Sequence, residues 1–353
     1  MTTLFQRSKE IILENQNPSG AYVASPNFPT YQYSWYRDSS FIAYSMNLVG
    51  EHDSADKFHH WAAENIVRRE ETIQNAIKKT KNGHPLKEKD ILHTRYGLNG
   101  SVSDEDWPNF QLDGFGTWLW ALGEHQKISN IQASPVIMHA VELIGQYLAA
   151  LWALPCYDCW EEFPDKIHPH TLAAIFAGLN ANIEGIRGKY EQQLAEISAF
   201  ILQNAVAEDH LMKFVGSDDV DASLIGVSVP YSLVAPFDPL MISTVKRIEE
   251  KLIRGGGLHR YSTDTYFGGG EWVLLTAWLG WYYVTVGEMQ KAKQALLWVE
   301  AQADSDHQLP EQVPNTLYDE SYYQPWVNRW GDIATPLLWS HAKYLILFSA
   351  LHK

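Results

Sequence analysis

A chain of 353 residues, 46% hydrophobic and 13% aromatic, has the material for a large core and the composition of a globular protein that works in water. Its formal charge of −15 excludes nucleic acid and anionic membrane as expected partners, because phosphate recognition needs a basic surface. The first 14 residues lack the apolar stretch of a signal peptide and no later run is long and charge-free enough to span a bilayer, which predicts a cytoplasmic protein.

Apolar residues recur at three- and four-residue spacing through most of the chain, while strand-like alternation is scarce and short. The spacing predicts helices over 3–14, 38–49, 53–69, 114–127, 134–151, 169–184, 187–206, 219–230, 238–254, 271–286, 288–303 and 335–350. Short breaks at Asp53-Ser54, Gly185 to Lys189 and Gly287-Glu288 suit antiparallel neighbours. Residues 15–37, 70–113, 152–168, 255–270 and 304–334 are instead long connections rich in Gly, Pro, Asn, Asp and aromatics, the kind that carries function. Twelve helices so joined make six helical hairpins, which can close into a ring with an inner set wrapped by an outer one. No low-complexity linker interrupts the chain, so residues 1–353 read as a single domain. Within 70–95, the charged runs Lys78-Lys79-Thr80-Lys81 and Lys87-Glu88-Lys89-Asp90 read as a solvated excursion on the rim.

Cys156 and Cys159 are the two cysteines, in C-x-x-C spacing. A zinc site would have to recruit His168 and His170, and a redox pair should open a helix after a strand, so packing in an aromatic segment is the simpler reading. No metal or cofactor is expected. The tryptophans are more informative. Trp118, Trp120, Trp152 and Trp278 fall on helical apolar faces, but Trp35, Trp107, Trp160, Trp272, Trp326, Trp330 and Trp339 sit beside carboxylates, arginines and glycines. Flat rings next to hydrogen-bonding groups suit sugars, which have C–H faces and hydroxyl edges.

The segment Trp160-Glu161-Glu162 places two carboxylates behind an indole. An acid pressed against Trp160 loses hydration, so its pKa should rise and make it a proton donor. Its proposed partner is Glu311 in Leu309-Pro310-Glu311-Gln312-Val313, because Glu161 and Glu162 are neighbours that point to different sides and cannot face each other across a substrate. Three loops enter inner helices on one plan of rings, polar groups and glycines: Tyr31 to Asp38, Trp107 to Gly116, and His259 to Trp272. Taken singly each fits ordinary helix capping, and a carboxylate at the N-cap or in the first turn, such as Asp38 beside Arg37, is also a rigid acceptor for sugar hydroxyls.

These residues carry a resemblance. Trp35-Tyr36-Arg37-Asp38, Gln111-Leu112-Asp113-Gly114, Trp160-Glu161-Glu162, Arg260-Tyr261 through Trp272, Leu309 to Gln312, and Thr335 to Ala342 resemble, in order, the successive motifs of glycoside hydrolase family 15. That glucoamylase-like family also contains glucodextranases and trehalases. The resemblance implies an all-α (α/α)6 barrel and an inverting, exo-acting α-glucosidase. By motif position Glu161 would be the general acid and Glu311 the general base. Arg37 and Asp38 would grip the terminal glucose, with Arg260 and Trp107 completing its pocket. Glu162 would touch the next sugar, and Tyr31 and Trp160 would wall the site. Trp35, Gln111, Asp113 and Trp272 are further expected substrate contacts.

The expected partner is a short α-linked gluco-oligosaccharide of the isomalto or malto type, since the chain has no room for the accessory β-sandwich or starch-binding module of many relatives. Trehalose is an alternative substrate, and a catalytically silent sugar sensor on the same barrel is an alternative of another class. The segment Val313 to Arg329 is unusual for the family and bears on the outer subsites.

Overall fold

Thr3 caps the first helix, its hydroxyl accepting the Gln6 amide, and that helix turns Ile11 and Ile12 inward. The computed structural model describes residues 3–103 and 105–353. In chain order the helices are α1 Leu4–Glu14, α2 Tyr36–Leu48, α3 His52–Val67, α4 Glu70–Lys81, α5 Asp113–Ser129, α6 Pro135–Leu151, α7 Pro169–Leu179 and α8 Glu191–Asn204. A 3-10 helix, Ala222–Val227, comes next, followed by α9 Pro239–Leu252, α10 Val273–Thr285, α11 Met289–Glu300, α12 Tyr323–Trp330 and α13 Leu338–Leu351.

The ring closes through α2, α5, α7, the 3-10 helix, α10 and α13, each packed on the next and α13 returning to α2. Outside it run α1, α3, α6, α8, α9 and α11, each against an inner neighbour. Burial follows the layers. Inner α10 buries nearly every residue from Val273 to Tyr283, whereas outer α8 buries only Ile197 and Ile201. This is the (α/α)6 barrel that the motif order implied.

Among the described residues, three two-stranded antiparallel ladders pin the connections: β1 Ser34–Trp35 with β2 Arg95–Tyr96, β3 Val206–Ala207 with β4 His210–Leu211, and β5 Glu271–Trp272 with β6 Gln312–Val313. The first and third tie long loops to the starts of α2 and α10, with Trp35 opposite Arg95 and Trp272 opposite Gln312.

Two expectations need correction. Residues 219–230 do not form a full α-helix. Asp221 caps a short 3-10 turn that ends at Ser228-Val229-Pro230, and Gly226 within it lies so close to His170 that an added Cβ would sit 2.8 Å from Nδ1. A proline without an amide proton and this close approach stop the helix. The 70–95 segment is no bare excursion either: α4 buries Ile73, Ala76 and Ile77 against α6, and Lys79 pairs with Asp90 at 2.6 Å. Its lysines mask an i, i+3, i+4 apolar stripe. Helix α12, inside the long 304–334 connection, is an added element. Among the described residues no helix is long and apolar enough to cross a membrane.

Candidate active site

A cavity of about 380 Å³ lies at the end of the ring where α2, α10 and α13 begin. Tyr31, Trp35, Arg37, Asp38, Trp107, Trp160, Glu161, Glu162, Arg260, Trp272 and Glu311 all line it. Trp339 and Leu337 line it as well, and beneath Trp339 the ring axis is filled by Phe41 and Trp278. The space is therefore a pit, not a channel.

Glu161 sits at φ +70° in the tight turn that follows Cys156. A side chain other than glycine in that region stores roughly 1–3 kcal/mol of strain, so its surroundings must hold it. Asp158 does so. Its Oδ1 accepts the backbone N–H groups of Trp160 and Glu162, both at 2.9 Å, and its own carbonyl accepts the Glu161 N–H at 3.0 Å. Burial pushes the Asp158 carboxyl up to about 8 against the pull of Lys213.

The ring that holds the Glu161 carboxyl is Trp35, not Trp160. Trp35 Nε1 donates to Glu161 Oε1 at 2.7 Å and Gln111 Nε2 adds a second bond at 3.2 Å. The Trp160 indole turns away and donates to Asp221 at 3.0 Å.

Gln111 and Asp113 depart from their expected role as sugar contacts. Neither lines the cavity, and both are buried behind its wall. Gln111 Oε1 accepts from Arg37 Nη1 at 2.9 Å and from Thr94 at 3.0 Å, and Asp113 Oδ2 lies 3.3 Å from the same Arg37 nitrogen. They lock the guanidinium, which in turn faces Asp38 at 3.2 Å. Burial raises the Asp38 carboxyl to about 6, with Arg37 opposing.

Glu311 is placed by the backbone. Its N–H donates to Ala334 O at 3.0 Å, its carbonyl accepts from Val273 N at 3.2 Å, and Gln312 continues into β6. The side chain crosses to Tyr31, whose hydroxyl donates to Oε1 at 3.1 Å and lies 2.9 Å from the Tyr266 hydroxyl. Oε2 is buried with no partner among the described residues. Burial pushes this carboxyl up to about 8, partly offset by Tyr31 and Arg260.

Arg260 is fixed by a two-pronged bond to Asp264, with Nε to Oδ2 at 2.7 Å, and stands 3.6 Å from Glu162. Tyr261 donates to the other Glu162 oxygen at 2.6 Å. The indole N–H groups of Trp107, Trp272 and Trp339 are buried and have no partner among the described residues. Buried donors are normally satisfied, so such a set in one cavity wall points to a polar occupant.

Sequence reasoning missed Asp158, and it placed Asp264 and Tyr266 in the His259 to Trp272 loop without giving either a role in the site. Asp158 has a legible signal, an aspartate whose side chain can bond the backbone two residues on. The Arg260 to Asp264 spacing is a weaker one. Nothing in the sequence predicts that Tyr266 meets Tyr31.

The sequence matches the family described as Glycosyl hydrolases family 15 over residues 2–331. An isomaltose glucohydrolase of Kribbella flavida is 36% identical over 356 residues, spanning 99% of this chain and 92% of that one. Trehalase 1 of Sulfolobus acidocaldarius is 24% identical over 307 residues, with 84% of this chain against 54% of its own. Among solved structures, a wild-type glycosidase superposes with a TM-score of 0.95 at 36% identity, covering 99% of this chain and 96% of that chain. A substituted glycosidase with the same TM-score and coverage was solved in complex with glucose. A bacterial glucoamylase complexed with acarbose shares the fold, with a TM-score of 0.73 at 20% identity over 98% of this chain and 55% of its own. A closed ring of helical hairpins, a pit with two carboxylates from separate loops and a match along nearly the whole sequence agree: the chain belongs to glycoside hydrolase family 15.

Proposed function

We propose that this protein is an inverting, exo-acting α-glucosidase that releases β-glucose from the nonreducing end of short α-glucosides, isomaltose foremost, with residues 1–353 acting as one catalytic domain. The observation that carries the reading is that Glu161 and Glu311, from loops far apart in sequence, open on one tryptophan-walled pit, each held by its own donors and with no hydrogen bond between them among the described residues.

In this mechanism Glu161 is the general acid. Trp35 and Gln111 occupy its Oε1, which leaves Oε2 to carry the proton to the glycosidic oxygen. Glu311 is the general base. Tyr31 steers its Oε1, and the unpartnered Oε2 takes a proton from the attacking water. A carboxyl raised toward the working pH is a stronger proton acceptor once ionised. Inversion sets the two carboxyl groups roughly 6.5–9.5 Å apart, so that a water fits on the face opposite the leaving group.

Arg37, Asp38, Arg260 and the free indole donors of Trp107 and Trp339 take the hydroxyls of the terminal glucose, while Trp35, Trp160, Trp272 and Tyr31 wall it. Glu162 reaches the next sugar. The filled ring axis beneath Trp339 favours exo action, since a chain cannot thread past the pit. Isomaltose is favoured over trehalose because the relative named for isomaltose matches over almost the full length of both chains, whereas this chain spans about half of the trehalase.

Glucose release from isomaltose, maltose and trehalose tests the reading. Isomaltose is expected to be turned over fastest, with β-glucose as the first anomer in proton NMR. Glu161→Gln and Glu311→Gln should each lower kcat by about 100-fold or more. α-Glucose appearing first, or full activity in both variants, would overturn the mechanism.

A further inference from the structure

The pit is also lined by the Asp106-Trp107-Pro108 loop and by α12. Along α12 the cavity-lining residues are Trp326, Arg329 and Trp330, a spacing that puts all three on one helix face. Gln324, Pro325 and Asn328 are exposed. A helix of eight residues has little stability of its own, and none of this one is fully buried, although Tyr323, Trp326, Val327 and Trp330 pack partly against the core. It is held through Trp326, whose indole N–H donates to Thr265 O at 2.9 Å and whose ring meets Tyr266 edge-on at 5.0 Å and stacks on Phe267 at 6.3 Å.

The anchored helix presents Arg329. Its guanidinium lies 4.7 Å from the Trp330 ring centre and 5.4 Å from that of Trp326, and no carboxylate lies within 4.0 Å of it among the described residues. Stacking restrains the planar fork, and among the described residues its donors have no acceptor. Depth separates this group from the other two arginines of the cavity: Arg37 and Arg260 are 4% and 3% exposed, whereas Arg329 is at the surface. If the nonreducing glucose occupies the floor, the sugar across the scissile bond lies at the level of α12.

We infer that Arg329 and Trp330 form the subsite for the leaving-group sugar, Trp330 offering its face to the C–H surface of an uncharged pyranose and Arg329 donating to two adjacent hydroxyls. Helix α12 then selects the second sugar, while Glu161 and Glu311 act on the bond. The assignment rests on the glucosidase reading above and deepens it.

The test compares kcat/KM for isomaltose with that for α-glucosyl fluoride, whose leaving group contains no sugar, in the parent protein and in Arg329→Ala, Arg329→Lys and Trp330→Ala. Arg329 is exposed and Trp330 half-buried, and circular dichroism checks that the fold is kept. Arg329→Ala and Trp330→Ala should lose about tenfold or more on isomaltose while staying within about twofold on the fluoride. Arg329→Lys should fall between Arg329→Ala and the parent on isomaltose, because an ammonium keeps the charge and loses the fork. Equal losses on both substrates, or unchanged isomaltose kinetics beside normal fluoride hydrolysis, overturn the subsite assignment alone. A parent protein inert towards the fluoride overturns the glucosidase reading beneath it.

Discussion

Tyr31 controls the charge state of Glu311 more directly than any other single group. Burial favours the protonated carboxyl and wins, while the Tyr31 hydroxyl favours the carboxylate and restrains the rise to about 8. If Glu311 is the base, as proposed, it works only when ionised, and the acidic limb of kcat/KM reports its pKa in the free enzyme. Tyr31→Phe removes the bond, lifts the Glu311 pKa further and should move that limb to higher pH; a limb that stays put or moves down in pH profiles would refute the link. Lys343 offers a second test. Its amine is buried 3.2 Å from the Trp278 ring centre and 3.3 Å from that of Phe41, with no hydrogen-bond partner among the described residues, and burial drives its pKa well below the usual lysine value. Between that lowered value and the unfolded value of about 10.4 the unfolded chain binds the extra proton, so stability is lost as pH falls through this window. Lys343→Met should raise the Tm by a few degrees at neutral pH, with the gain shrinking toward pH 10.

At the scale of elements, α5 and α7 cross closely enough to leave no room for a side chain at two glycines. A Cβ on Gly116 would lie 2.4 Å from the carbonyl oxygen of Ala174, and one on Gly178 would lie 2.7 Å from that of Gly116. Neither backbone can yield without opening the ring. Gly116→Ala should therefore destabilise the protein by about 1–3 kcal/mol in urea melts. Gly123 on the same helix makes only an ordinary 3.4 Å approach to Ala181, and Gly123→Ala should be neutral or gain up to about 1 kcal/mol from helix propensity. Similar losses in both variants would mean that the close crossing does not decide the effect. Periodicity alone could not have separated these positions, because both lie within one continuous helical pattern. The same limit explains α4 and the 3-10 helix. Lysines hid the apolar stripe of α4, and hydrophobic spacing over 219–230 carries no record of the His170 ring that abuts Gly226.

For the molecule as a whole, buried titrating groups set opposing slopes. The carboxyls of Asp158 and Glu311 are raised to about 8 and that of Asp38 to about 6, all by burial, so the folded state holds their protons longer and their contribution is lost as pH rises through those values. His59, His170 and His341 are buried and lowered by that burial, as are His125, His168 and His259; the unfolded chain protonates first, and stability falls as pH drops below about 6.5. Each fully buried group changes the slope by up to about 1.4 kcal/mol per pH unit. Histidines outnumber raised carboxyls below that point, and above it the two carboxyls outweigh Lys343. The Tm should therefore peak near pH 6.5 in melts between pH 5 and 8, and a steady climb across the whole range would contradict the balance.

Repetition of apolar residues at helical spacing, together with the alternation of short turns and long loops, pointed to helical hairpins able to close into a ring, because every helix must bury one face, and the resemblance implied the barrel itself. Trp160-Glu161-Glu162 stood out as carboxylates beside an indole in a long loop, whereas Glu311, with no indole near it in sequence, was given its role only by the resemblance of its motif. What local sequence could not encode was which ring touches which acid. The Glu161 carboxyl is held by Trp35 and Gln111, Arg37 is locked by Gln111 and Asp113 from behind the wall, and Tyr31 reaches Glu311 beside Tyr266. These contacts join loops separated by up to 280 positions, and they exist only because closing the ring brings its loops to one end.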